Sequence, residues 1–166
     1  MRKYFYKAKT LGFLFWHLKH EMIHVLLGLV WAWFLREQWN EFNPGWIILS
    51  IFGSLLPDIE HFIYFFSYGK QDQYTVTVKN LFLNRRWRDL AVFMSNGHKH
   101  NTNLAYHNLY FVSMLLIVVF LSSFLDLRKS TILFGAMVIH YLFDIVDDLV
   151  FLGHLNSNWK RWGRAK

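Results

Sequence analysis

Four short stretches carry side chains able to bind a metal ion or move a proton. "LLPDIEHF" places Asp58 and His61 three residues apart, and "IHYLFDIVDD" places His140, Asp144 and Asp147 at i, i+4 and i+7. At about 100° per residue, each set shares one helix face. "WHLKHEMIH" holds His17, His20 and His24, of which His20 and His24 have the i, i+4 spacing that chelates one ion. "SNGHKHNTNLAYHNLY" adds His98, His100 and His107. All the donors are imidazole nitrogens or carboxylate oxygens, a set that suits Zn²⁺, with Mn²⁺ or Fe²⁺ next, better than Ca²⁺ or Mg²⁺.

The expected ligands are His20, His24, Asp58, His61, His100, His107, His140 and Asp144, enough for one or two divalent ions with Asp58 as a bridging carboxylate. Such an ion lowers the pKa of bound water and makes a nucleophile near neutral pH. Asp58, or a spare His107 or Asp147, would position the substrate and protonate the leaving group. Glu60 points off the Asp58–His61 face if the helix is regular, so it stays in second place. Plainer readings exist for each group: a basic interfacial face for the first three histidines, a helix-packing pair for Asp58 and His61, a solvated loop for His98 and a solvated helix end for Asp148.

The elements that must hold these residues are apolar. The chain of 166 residues is 54% hydrophobic, 20% aromatic and 17% charged, outside the usual range of a soluble domain. Apolar stretches at about 18–35, 45–66, 104–125 and 131–152 are each long enough for a hydrocarbon core of about 30 Å. Pro57 removes a main-chain N–H inside the second and leaves a carbonyl one turn earlier without its helical partner. Asn101 or Thr102 would cap the third, with His107 one turn inside it. Between the second and third, residues 78–95 alternate basic and apolar side chains as an amphipathic surface helix would. The expected fold is therefore all-α: a polytopic membrane four-helix bundle, one domain over 1–166, with an interfacial helix in a long cytoplasmic loop.

Charge orients it. All of the 18 Lys and Arg except Arg36, Arg128 and Lys129 fall in the N-terminal segment, the 67–103 loop or the C-terminal tail, which four spans put on one side. The positive-inside rule makes that side cytoplasmic, with both termini there, in an inner (cytoplasmic) membrane. The basic N-terminus reads as retained rather than cleaved. Trp31, Trp33, Trp39 and Trp46 fall near the outer interface, and Trp87, Trp159 and Trp162 near the inner one. A net charge of +7 then means anionic lipid, with no nucleic acid expected. The absence of cysteine excludes disulfides and thiolate sites. The topology also brings the His and Asp of all four helices to similar depth in the inner half.

These elements together resemble the membrane-bound metal-dependent hydrolase family, small bacterial and archaeal inner-membrane proteins of about four spans. The resemblance covers roughly 20–148. It rests on H-x-x-x-G at His24–Gly28, P-D-x-[DE]-H at Pro57–His61, a His-rich segment before the third span, and H-x-x-x-D at His140–Asp144. It implies His24, Asp58, His61, His140 and Asp144 as ligands. Glu60 stands where the family usually has Asp, and "GHKHNTNLAYHNL" replaces its H-R-G-x-T-H-S segment. The expected function is a membrane-embedded metal-dependent hydrolase acting on a lipid or lipid-linked (phospho)ester. One alternative is a metal or proton transporter, or a membrane protein with a structural metal. Another is a lipid phosphatase of the phosphatidic acid phosphatase type 2 kind, with His140 as phosphohistidine, His98 as acid, and Lys79 and Arg86 on phosphate; Trp87 and Phe134 depart from its motifs.

Overall fold

Glycine and serine let the helices of this chain approach closely. The computed structural model is all-helical; it describes residues 2–101 and 103–161, with side chains for 18–94, 103–150 and 152–161. Its helices are α1 (Arg2–Trp39), α2 (Pro44–Leu55), α3 (Ile59–Phe66), α4 (Gln73–Leu83), α5 (Trp87–Asn101), α6 (Leu109–Phe124) and α7 (Arg128–Leu152). They gather into two compact units, residues 21–60 with 104–166 and residues 1–20 with 61–103. Chain length alone does not resolve this division.

In the unit of 21–60 and 104–166, α2 packs on α1 and α7. A Cβ on Gly28 would lie 3.0 Å from Ile51 Cα, and one on Gly53 only 2.6 Å from the Leu133 carbonyl oxygen. Main chain thus meets main chain, and polar groups bind across the seams: Ser50 Oγ donates to the Gly28 carbonyl at 2.7 Å, and Trp31 Nε1 to the Ile132 carbonyl at 3.1 Å. α6 lies against α7, with Val112, Leu115, Met137, Val138 and Tyr141 forming a buried core.

The turns of this unit follow from local chemistry. Asn43 caps α2 by accepting from Gly45 N–H at 2.9 Å, with Pro44 in the first turn. Arg128 opens α7 paired with Asp126 and Glu41, its guanidinium 5.4 and 5.9 Å from the Trp39 and Trp46 rings. α7 ends at Gly153, whose φ of +69° suits glycine. The chain then returns through a 3₁₀ turn at Ser157–Lys160 and buries Trp159 in the core. Trp159 is therefore core rather than an interfacial anchor: its Nε1 donates to Asp148 Oδ2 at 2.8 Å. Asp148, expected at a solvated helix end, is buried by the same bond.

Two further expectations change. The cap of α6 is Asn108, accepting from Phe111 N–H at 2.8 Å and donating to the Ala105 carbonyl at 2.6 Å; the side chains of the expected caps, Asn101 and Thr102, lie outside the described residues. His107 consequently precedes the helix instead of sitting one turn inside. In the other unit, the single amphipathic helix expected over 78–95 is two helices, α4 and α5. They part where Asn84 Nδ2 bonds the Asn80 carbonyl at 2.9 Å and Arg85 takes a left-handed φ of +54°.

That unit packs aromatic side chains. Tyr74 stacks on Phe93 at 5.3 Å, and Tyr64 donates to Asp72 Oδ2 at 3.0 Å. Gly69 is required beneath the Tyr64 ring, since a Cβ would meet it at 2.3 Å. Burial, with the neighbouring Tyr64, pushes the Tyr74 hydroxyl up to about 12.

Helices occupy all four apolar stretches. Among the described residues, two are long and apolar enough to cross a membrane: Leu18–Trp39, with 22 residues, and Pro44–Phe66, with 23. α6 has only 16 residues, and Asp144, Asp147 and Asp148 dilute the 25 of α7.

Two outcomes follow from this packing. Gly53→Ala should destabilise by about 1–3 kcal/mol, because its new methyl meets main chain that cannot swing away; a melting temperature equal to wild type contradicts the close approach. Tyr74 ionises more readily in the unfolded chain, so stability should fall as pH rises from about 10 to about 12. Circular dichroism across that window should show the loss, and Tyr74→Phe should reduce it.

Candidate metal centre

Pro57 starts the site. α2 gives way after Leu55 to a 3₁₀ turn at Leu56–Asp58, and α3 begins at Ile59. In an α-helix the Ser54 carbonyl would accept from the N–H of Asp58; in a 3₁₀ helix it would accept from residue 57, and proline has no N–H. The carbonyl instead accepts from His140 Nδ1 at 2.6 Å. A carbonyl can only accept, so the ring carries a proton on Nδ1 and turns Nε2 the other way. His24 holds the ring plane from the opposite side: the two imidazoles stack at 3.8 Å and 20°. Both are 0% exposed.

A second histidine is oriented in the same manner by a carboxylate. Glu60, 4% exposed, accepts from Tyr106 N–H at 2.9 Å on Oε1, which also takes the Ala105 N–H. Its Oε2 is 2.7 Å from His107 Nδ1. An ionised Glu60 accepts from His107 Nδ1–H at that oxygen, which turns Nε2 the other way.

Both Nε2 atoms turn toward Asp144. Oδ2 of Asp144 is 3.2 Å from His140 Nε2 and 3.7 Å from His107 Nε2, while its Oδ1 is 3.7 Å from His24 Nε2. His140 Nε2 is buried and makes no hydrogen bond despite that proximity. His107, His140 and Asp144 bring ligand atoms within 4.8 Å of one another, which could hold a metal ion. Two imidazoles and one carboxylate, each imidazole braced through its second nitrogen, is the donor set of open zinc and iron sites. His24, Asp58 and His140 form a second such group. There Asp58 Oδ2 faces His140 Nδ1 at 3.8 Å, the nitrogen already given to Ser54. The donors therefore fit a metal better at Asp144 than at Asp58.

His61 and His20 belong to the unit of 1–20 and 61–103. His100 belongs to α5 rather than to the start of α6, and its side chain, like that of His98, lies outside the described residues. Asp147 is half-buried on α7, beside Asp148. Lys79 and Arg86 are exposed on the other unit.

Helical spacing from Asp58 gives Glu60 no place because it presumes a regular helix, whereas a 3₁₀ turn precedes it at Leu56–Asp58. The sequence does carry one signal for it: an acid inside an apolar stretch must find donors. Tyr141 and Trp159, which flank His107 at 5.0 and 6.1 Å between ring centres, had no such signal. Comparison with family models, curated proteins and solved structures finds no match to the chain.

Pro57→Ala restores an N–H and permits α2 to continue, so that Asp58 N–H recaptures the Ser54 carbonyl. Helix content should hold, while zinc affinity falls about tenfold as His140 loses its orienting bond. Isothermal titration with Zn²⁺ checks this, and unchanged affinity removes the proline from the site's construction.

Proposed function

We propose that this chain is a membrane-embedded, metal-dependent hydrolase with one divalent ion, zinc by preference, held by His107, His140 and Asp144. The observation that carries the reading is the convergence of two braced Nε2 atoms on one carboxylate oxygen. A divalent ion bound there would supply a Lewis acid that activates water near neutral pH.

The chain's own residues divide the remaining work. Asp58 and Asp144 are the parts of the cluster that reach solvent, with side chains 18% and 16% exposed. Asp144 would bind the ion. Asp58 stands beside His140 and would take the proton released from water and pass it to the leaving group. The stacked His24 and His140 rings, with Tyr141 and Trp159 beyond His107, keep bulk water from the other sides.

Membrane placement rests on two helices of sufficient length and apolarity and on large apolar side chains left exposed, among them Leu26, Val30, Ile48, Phe52, Ile117 and Phe120. Together with the Lys and Arg asymmetry this supports a polytopic bundle in an inner membrane, both termini cytoplasmic. A site at headgroup depth favours a lipid or lipid-linked ester or phosphoester.

One observation favours a second reading. His24 Nε2, 3.7 Å from Asp144 Oδ1, offers a fourth donor, and four protein ligands would make the metal structural. The purified protein should contain about one zinc per chain. His140→Ala and Asp144→Ala should contain none, and Asp58→Ala should keep it. Metal-free wild type sinks both readings. Zinc-dependent release of fatty acid or phosphate from phospholipid in mixed micelles, lost in Asp58→Ala, supports the hydrolase; a full metal complement without such release points to the structural role.

A further inference from the structure

We infer that Glu60 is a positioning residue that sets the tautomer of His107 and so makes its Nε2 a ligand atom. This rests on the metal reading of the site and deepens it. His107 lies in the irregular stretch between α5 and α6, where no helical register aims its ring. What aims it is Glu60. Three N–H groups converge on that carboxylate: Ala105 N, Tyr106 N and His107 Nδ1.

The requirement is for a carboxylate, not merely for a side chain of that size. A carboxylate accepts on both oxygens, whereas the isosteric amide accepts on one and donates from the other. In Glu60→Gln the amide has two orientations. With NH₂ toward Ala105 and Tyr106, two main-chain donors lose their acceptor, which disfavours that orientation. With the oxygen kept there, NH₂ faces His107 Nδ1. The ring satisfies that arrangement by presenting a lone pair at Nδ1 and carrying its proton on Nε2. That nitrogen is the one 3.7 Å from Asp144 Oδ2. A protonated Nε2 cannot bind metal, so one isosteric change closes a ligand position without removing a ligand.

The test uses the full chain in detergent micelles, labelled with ¹⁵N-histidine, with His107→Ala assigning the signal. In metal-free protein at about pH 10, where imidazole is neutral, wild-type His107 should carry its proton on Nδ1 and Glu60→Gln should carry it on Nε2. Zinc affinity, titrated with Zn²⁺ alone, should fall about 10- to 100-fold in Glu60→Gln, while helix content and melting temperature stay close to wild type. Proton on Nε2 in wild type overturns the inference, as does wild-type zinc affinity in Glu60→Gln. A variant that melts early yet keeps the Nδ1 proton shows Glu60 to be structural only and overturns it too. Should Glu60→Gln fail to fold, the wild-type tautomer decides alone. Wild type that binds no zinc defeats the metal reading, and the tautomer measurement still judges Glu60.

Discussion

The site depends on a main-chain carbonyl that its own helix does not use. Proline at position 57 and the 3₁₀ turn around it withdraw the donors that Ser54 would otherwise meet, and His140 from α7 takes their place at 2.6 Å. Such an exchange is favourable only where water is absent, because a solvated carbonyl has other partners and the net value of the bond is about 1 kcal/mol. In a buried seam the unmet alternative costs more than the bond itself gains. The proline thus does two things at once. It breaks the helix that carries Asp58 and Glu60, changing where each points, and it fixes the ring that Asp144 faces.

Burial of so many ionisable groups is costly unless each is paired. Here the pairing is asymmetric in a useful way. The Nδ1 sides of His140 and His107 end on groups that only accept, a carbonyl and a carboxylate. The Nε2 sides face Asp144, another acceptor, at 3.2 and 3.7 Å. At 3.2 Å the first is at the long end of hydrogen-bond distance and at 3.7 Å the second is beyond it, and ligand atoms so grouped could hold a cation. A folding role alone would favour His140 closing on Asp144 as a simple hydrogen-bonded pair. With imidazoles gathered around one carboxylate instead, the cluster offers donor atoms that could hold a metal ion.

Sequence exposed the residues that repeat at helical spacing and hid those that depend on helix breaks. His140 and Asp144 were legible because α7 is regular across them, and His24 because α1 is. Pro57 announced an unpaired carbonyl, though not which residue would use it. The 3₁₀ turn at Leu56–Asp58 does not keep the 100° step, so helical spacing alone does not fix where Asp58, Glu60 and His61 point. A cap at Asn101 or Thr102 would put His107 on the helix; Asn108 has the same chemistry seven residues on, and nothing local ranks one asparagine above another. Trp159 could not be foreseen, since its burial depends on Gly153 reversing the chain toward an aspartate eleven residues earlier. Apolar length located helical segments in all four stretches but overstated the third, whose first residues form the turn before α6 that carries His107.

Register across the helices is what finally holds the centre together. His24, His140 and Asp58 come from three segments, and a shift of one residue along any of them moves a side chain of the cluster by about 1.5 Å. Two kinds of contact resist that shift. Near the site, Gly28 and Gly53 allow backbones to interlock, so sliding would drive Cα and carbonyl atoms into each other. Twelve residues before His140, roughly 18 Å along α7, Arg128 ties the start of that helix to Glu41 and to the rings of Trp39 and Trp46. A helix pinned at one end only could still rotate or tilt. Pinned by charge and rings at one end and by close backbone packing beside the site, it cannot do either without breaking both, and the ring of His140 inherits that rigidity.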